Sequence, residues 1–162
     1  MAKGNNSITI ILVVLFGIFM QELFYVADSK DTPHKAVVEF TKAYYGLDPS
    51  MCERLCNELR RSNDVVAQHI NCAAQEAKDR GFGLNYMKSK LFHVVTHTVS
   101  KGENQARIKI TGYSRTAINP VYPFIADIFN IGNTYEVDQT LQVIKEDGKW
   151  KVCGQAFSLL HM

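Results

Sequence analysis

The densest grouping of reactive side chains lies between residues 52 and 72. Cys52 and Cys56 stand about one helical turn apart there, and His69 and Cys72 nearly one turn apart. Facing each other across a helical hairpin, three thiolates and an imidazole match the ligand set of a tetrahedral zinc site. That reading leaves Cys153 unused. All four cysteines follow the N-terminal apolar segment, and an even number in an oxidising compartment favours disulfides over metal or catalysis. A hairpin turning at Ser62 puts Cys52 level with Cys72, so a Cys52–Cys72 bridge is expected, with Cys56 and Cys153 paired by elimination. Strand parity opposes the second pair. Cys153 shares a face with Lys149 and Lys151, so reaching the helices calls for a bulge at Gly148 or Gly154. A Cys56–Cys72 pairing and free thiols stay open, and no metal or cofactor is assigned.

Proton-transfer chemistry needs an acid or base on the inner face of the fold. Alternation places Ala106, Ile108, Ile110 and Gly112 on one face of a strand, and Tyr135, Val137, Gln139, Leu141 and Val143 on one face of the next. Glu136, Asp138, Arg107, Lys109 and Arg115 then point outward. Tyr44, His93, Tyr135 and Gln139 are the candidate cavity-lining residues, and no catalytic carboxylate is assigned. The strand carrying His93 and His97 is apolar on both faces, so its register is ambiguous. Four residues along a strand separate the two imidazoles by about 13 Å, too far to share a metal ion.

These residues are positioned by helices followed by strands. Thr32-Pro33 is a helix start and Gly46 a stop, with Val37, Phe40, Thr41 and Tyr44 on one face between them. Ser50-Met51-Cys52-Glu53 matches a capping box for a second helix running to Arg60. Ser62-Asn63-Asp64 recaps a third that closes at Gly81. From there the pattern alternates: residues 87–99, 105–115, 134–144 and 149–157 read as strands of an antiparallel meander, with a tight turn at Glu146-Asp147-Gly148. Between the second and third strands lies an apolar loop carrying Val121, Tyr122, Phe124, Ile125, Ile128 and Phe129. It is either a lid on the core or a partner-contact surface.

The run Ile8 to Met20, resuming at Leu23 and ending at Ala27, reads as a transmembrane helix. Its rival is a cleaved signal peptide, for which Tyr25-Val26-Ala27 is the best but bulky site. The expected organisation is a membrane anchor or signal peptide over 1–27, a linker over 28–32 and an exported domain over 33–162. Single-pass attachment to the cell membrane would leave that domain on the periplasmic or other extracytoplasmic side. The formal net charge of +2 is scattered, without the basic stripe or interleaved aromatics of a nucleic-acid binder.

The segment Val37-Val38-Glu39-Phe40-Thr41-Lys42-Ala43-Tyr44-Tyr45-Gly46-Leu47-Asp48, the helices after it and the closing hairpin over residues 143–152 resemble the nuclear-transport-factor-two-like superfamily. The resemblance covers residues 32–157. It implies a cystatin-like α+β cone, here three helices on a curved four-stranded antiparallel sheet behind an N-terminal transmembrane helix. It also implies two kinds of role. One is a membrane-anchored, non-catalytic interaction or assembly module whose partners are other membrane or exported proteins. The alternative is an isomerase- or cyclase-like enzyme, or a binder of a small apolar ligand in the cone.

Overall fold

The structure, a computed structural model, describes residues 5–61, 65–116 and 134–154. It divides into two compact units, residues 1–31 and 32–162. The first is helix α1 (Asn5–Ser29), whose described side chains, 9–22, are exposed. Among the described residues no helix is long and apolar enough to cross a membrane. The expected transmembrane anchor is therefore corrected, and with it the membrane and signal-anchor assignments. The physical reason is the extent of the apolar run: among the described side chains it covers 10–20 before Gln21 and Glu22, about 16 Å of helix, against about 30 Å of hydrocarbon.

The second unit is α+β, built on a four-stranded antiparallel sheet in the order β1-β2-β3-β4. Helix α2 (Pro33–Tyr45) starts as its sequence dictates, with the Thr32 hydroxyl accepting the Lys35 N–H at 3.1 Å and proline at the first position. Its end is less direct. Gly46 stays right-handed, and Leu47 takes the left-handed turn at φ 51°, letting the Asp48 N–H reach the Ala43 carbonyl at 2.9 Å.

The expected second helix is replaced by a 3₁₀ turn, Pro49–Arg54, and a short α3, Asn57–Arg61. Asp48, not Ser50, is the cap: its carboxylate accepts the Ser50 N–H at 2.9 Å, which holds its pKa below the ordinary carboxylate value. Between the two segments the chain extends. Leu55 pairs in parallel with Val152, and the Cys56 N–H donates to the Val152 carbonyl at 2.9 Å. Helix α4 (Val65–Asp79) and a 3₁₀ turn, Leu84–Met87, complete the helices among the described residues.

Strands β1 (Ser89–Lys101), β2 (Gln105–Thr116), β3 (Thr134–Glu146) and β4 (Lys149–Cys153) follow. The β3–β4 turn places Asp147 and Gly148 at φ 51° and 78°, the twist that a two-residue hairpin demands. Alternation holds along β2 and most of β3, where Ala106, Ile108, Ile110, Val137, Leu141 and Val143 are buried. On β1 it breaks. The pairing shifts between Phe92 and Val95, where His93 takes φ 48°. Leu91 lies inward before this bulge, and Thr96 and Thr98 lie on the Ile110 and Ile108 face after it. Gly112 makes the room, since a Cβ there would meet the Phe92 carbonyl oxygen at 3.0 Å.

Val37, Phe40, Thr41 and Tyr44 of α2 are buried, and Met51, Leu55, Trp150 and Val152 close the same core. Phe40 is fully buried in that cluster, so truncation removes both transfer energy and packing. Phe40→Ala is expected to lower unfolding free energy by about 3–5 kcal/mol in denaturant titration, with the midpoint falling at unchanged slope.

Candidate functional site

Among the described residues two clusters of reactive side chains stand out. The first joins α2 to α4. The His69 ring stacks on Tyr44 with centroids 4.2 Å apart and planes 11° from parallel, and both residues are buried. His69 Nε2 lies 3.4 Å from the Tyr44 carbonyl oxygen, which can accept a hydrogen bond from it. Burial holds His69 below the ordinary histidine value of 6.5, the contact with that carbonyl offsetting part of the shift. Burial, helped by neighbouring Tyr45, pushes the Tyr44 hydroxyl up from its ordinary value. Both rings are neutral at pH 7, and the pair serves as packing between helices.

The second cluster is the disulfide between Cys56 and Cys153, whose Cα atoms are 5.4 Å apart and whose positions are separated by 97 in sequence. It needs no bulge at Gly148 or Gly154. Cys153 does not reach to a helix packed on the sheet; the extended Leu55–Cys56 segment comes alongside β4 and presents Cys56 to it. Glu58, in the first turn of α3, places Oε2 3.8 Å from Cys153 Sγ. The approach is held by polar contacts on both sides. Arg54 pairs with Glu39 at 2.6 Å and donates to the Trp150 carbonyl at 3.3 Å, while Glu146 Oε2 accepts the Asn57 N–H at 2.9 Å. The Cys56–Cys153 pair follows in the sequence only by elimination, against strand parity; Glu58 had no signal there, because its neighbour Cys153 lies on β4, far along the chain.

Cys52 and Cys72 are free thiols, which corrects the expected bridge between them. The bridge presumed a continuous helix through Cys52, whereas Cys52 sits in the 3₁₀ turn and the chain is extended just beyond it. The zinc arrangement of Cys52, Cys56, His69 and Cys72 fails as well, with Cys56 in a disulfide and His69 stacked on Tyr44.

The candidate cavity-lining residues do not converge. Tyr44 is covered by His69; His93 is exposed in the β1 bulge, edge-on to Tyr113 at 6.5 Å. Tyr135 is 59% exposed at the end of β3, and Gln139 is half-buried opposite Ile110, about 13 Å farther along the strand. Val121, Tyr122, Phe124, Ile125, Ile128 and Phe129 lie outside the described residues. Two threonines without a signal in the sequence do meet a histidine: His34 Nδ1 and Nε2 lie 2.9 Å from the Thr96 and Thr98 hydroxyls, fastening α2 to β1.

Two outcomes follow from this geometry. Without reductant, peptide mapping is expected to recover Cys56 linked to Cys153, with Cys52 and Cys72 alone alkylated after unfolding. Because the folded pKa of His69 lies below 6.5, the unfolded chain binds its proton first as pH falls. The stability it contributes is present above 6.5, declines as pH drops through that value and levels off below the folded pKa. Between pH 7 and 5, His69→Phe is expected to flatten the dependence of melting temperature on pH. An unchanged slope would remove His69 as its source. Compared with protein-family models and with curated proteins, the chain finds no match.

Proposed function

We propose that residues 32–162 form an exported, non-catalytic interaction module that works in an oxidising compartment and binds another exported protein. The observation that carries this is a division between the two faces of the sheet. The inner face, where a cone-type enzyme would hold its substrate, is filled by Phe40, Met51, Leu55, Ile108 and Val143, all buried. On the outer face Val95 and Tyr113 are exposed, and Phe92 is half-buried beside them. Exposed aromatic and aliphatic side chains grouped on one face are the composition of a protein contact. The Cys56–Cys153 disulfide supports export, since such bridges persist outside reducing compartments. The helix-then-meander order supports the resemblance to the nuclear-transport-factor-two-like superfamily.

The reading predicts that the full chain, purified natively from the exported fraction of its host, carries a stoichiometric protein partner. A Val95→Glu/Tyr113→Glu variant is expected to lose that partner while its unfolding free energy changes by no more than about 1 kcal/mol, because both positions are exposed. Native mass spectrometry provides the opposing result. A small molecule bound in place of a protein, and retained by the variant, would overturn the module reading in favour of a ligand-binding cone.

A further inference from the structure

Three donor groups converge beside β4: the sulfurs of Cys56 and Cys153 and a carboxylate oxygen of Glu58, all within 4.8 Å of one another. In the oxidised chain the sulfurs are bonded together and offer no thiolate. The junction is also held by contacts that do not involve the S–S bond: the Cys56 N–H donates to the Val152 carbonyl, the Asn57 N–H to Glu146, and Arg54 ties the turn to Trp150 and Glu39. We propose that the reduced form of this cluster is a binding site for a thiophilic divalent cation of the zinc class, with Cys56, Cys153 and Glu58 as its protein ligands.

Ligand spacing supports the assignment. Zinc bonds of about 2.3 Å to sulfur and about 2.0 Å to oxygen place tetrahedral neighbours about 3.5 Å apart for S···O and about 3.8 Å for S···S. The sulfur of Cys153 already lies 3.8 Å from Glu58 Oε2. The three donor atoms lie within 4.8 Å of one another, and opening the bridge lets the two sulfurs separate to the tetrahedral spacing. Burial is graded in the same sense: Cys56 and Cys153 are buried and Glu58 is exposed, so the site has a closed rear and an entry on the carboxylate side. A tetrahedral ion held by three protein ligands takes water as its fourth.

The chemistry balances in two steps. A dithiol reductant supplies two electrons and two protons, converting the disulfide to two thiols and becoming a cyclic disulfide itself. The cation then displaces both thiol protons to solvent. Thiolate softness favours zinc, cobalt or cadmium over magnesium or calcium. The inference concerns the reduced protein and does not rest on the interaction-module reading.

Cobalt(II) provides a visible probe. The full chain carrying Cys52→Ser and Cys72→Ser, which removes the competing thiols, is reduced anaerobically with a dithiol, desalted and titrated with cobalt(II). One ion per chain with sulfur-to-cobalt charge-transfer absorption is expected in the reduced form and none in the oxidised form. Adding Glu58→Gln is expected to raise the dissociation constant by at least the roughly tenfold that loss of a supporting group costs a metal site, with both thiolate bands retained. No charge-transfer absorption in the reduced chain, or equal binding by the oxidised chain, would overturn the site. An unchanged affinity in the Glu58→Gln variant would remove Glu58 and with it the three-ligand assignment. That variant keeps both cysteines, and far-ultraviolet circular dichroism of each reduced sample checks that it is folded.

Discussion

The packing of one apolar helix stripe against one face of a four-stranded sheet is the constraint on which the second unit depends. Val37, Phe40, Thr41 and Tyr44 occupy the same side of α2, and opposite them β2, β3 and β4 present Ile108, Ile110, Leu141, Val143 and Val152. Burial of such surface is the main favourable term in folding, and it requires every strand to keep its apolar residues on the helix side. Where a strand cannot do so with regular pairing, the backbone yields. The bulge at His93 is that adjustment: it reverses the parity of β1 midway, so that Leu91 before it and Thr96 and Thr98 after it all face α2. Gly112 is the residue on the neighbouring strand that makes the adjustment possible.

The same core controls what lies at its edges. Leu55 is drawn into it completely, and this pulls the chain out of helical conformation between the 3₁₀ turn and α3. An extended Leu55 pairs with β4, which sets Cys56 beside Cys153 and leaves Cys52 a turn behind with no partner cysteine. Disulfide choice is therefore a by-product of where a leucine is buried. Chain-entropy reasoning adds that a bridge closing so long a loop restricts the unfolded chain strongly, by about 4–5 kcal/mol in that treatment. The polar contacts from Arg54, Asn57 and Glu146 hold the same junction independently of the bridge.

Burial also decides the character of the titratable groups. Tyr44 and His69 have the residue types of an acid–base pair, yet they are stacked between helices, where desolvation keeps both neutral. The ion pair of Lys109 with Asp138, at 2.8 Å, lies on the outer face of the sheet. Among the described residues Phe40, Met51, Leu55, Ile108 and Val143 fill the core on the inner face, and Val95 and Tyr113 are exposed on the outer face. That division is the physical basis for reading the unit as a binding module.

Local chemistry was legible in the chain. Thr32-Pro33 determined where α2 begins, and Asp147-Gly148 determined a two-residue turn. Alternation over Ala106 to Ile110 determined the buried face of β2, because each depends only on residues within a few positions. The outward placement of Glu136 and Asp138 followed from the same period of two. Tertiary structure alone decided the rest. The break in the helix at Leu55, the parity switch at His93, the exposure of Tyr135 and the stacking of His69 each depend on a neighbour far away in sequence. So does the choice of Cys153 as the partner of Cys56. Spacing along a chain shows which side chains share a local face, but which faces meet is set by burial of the whole core.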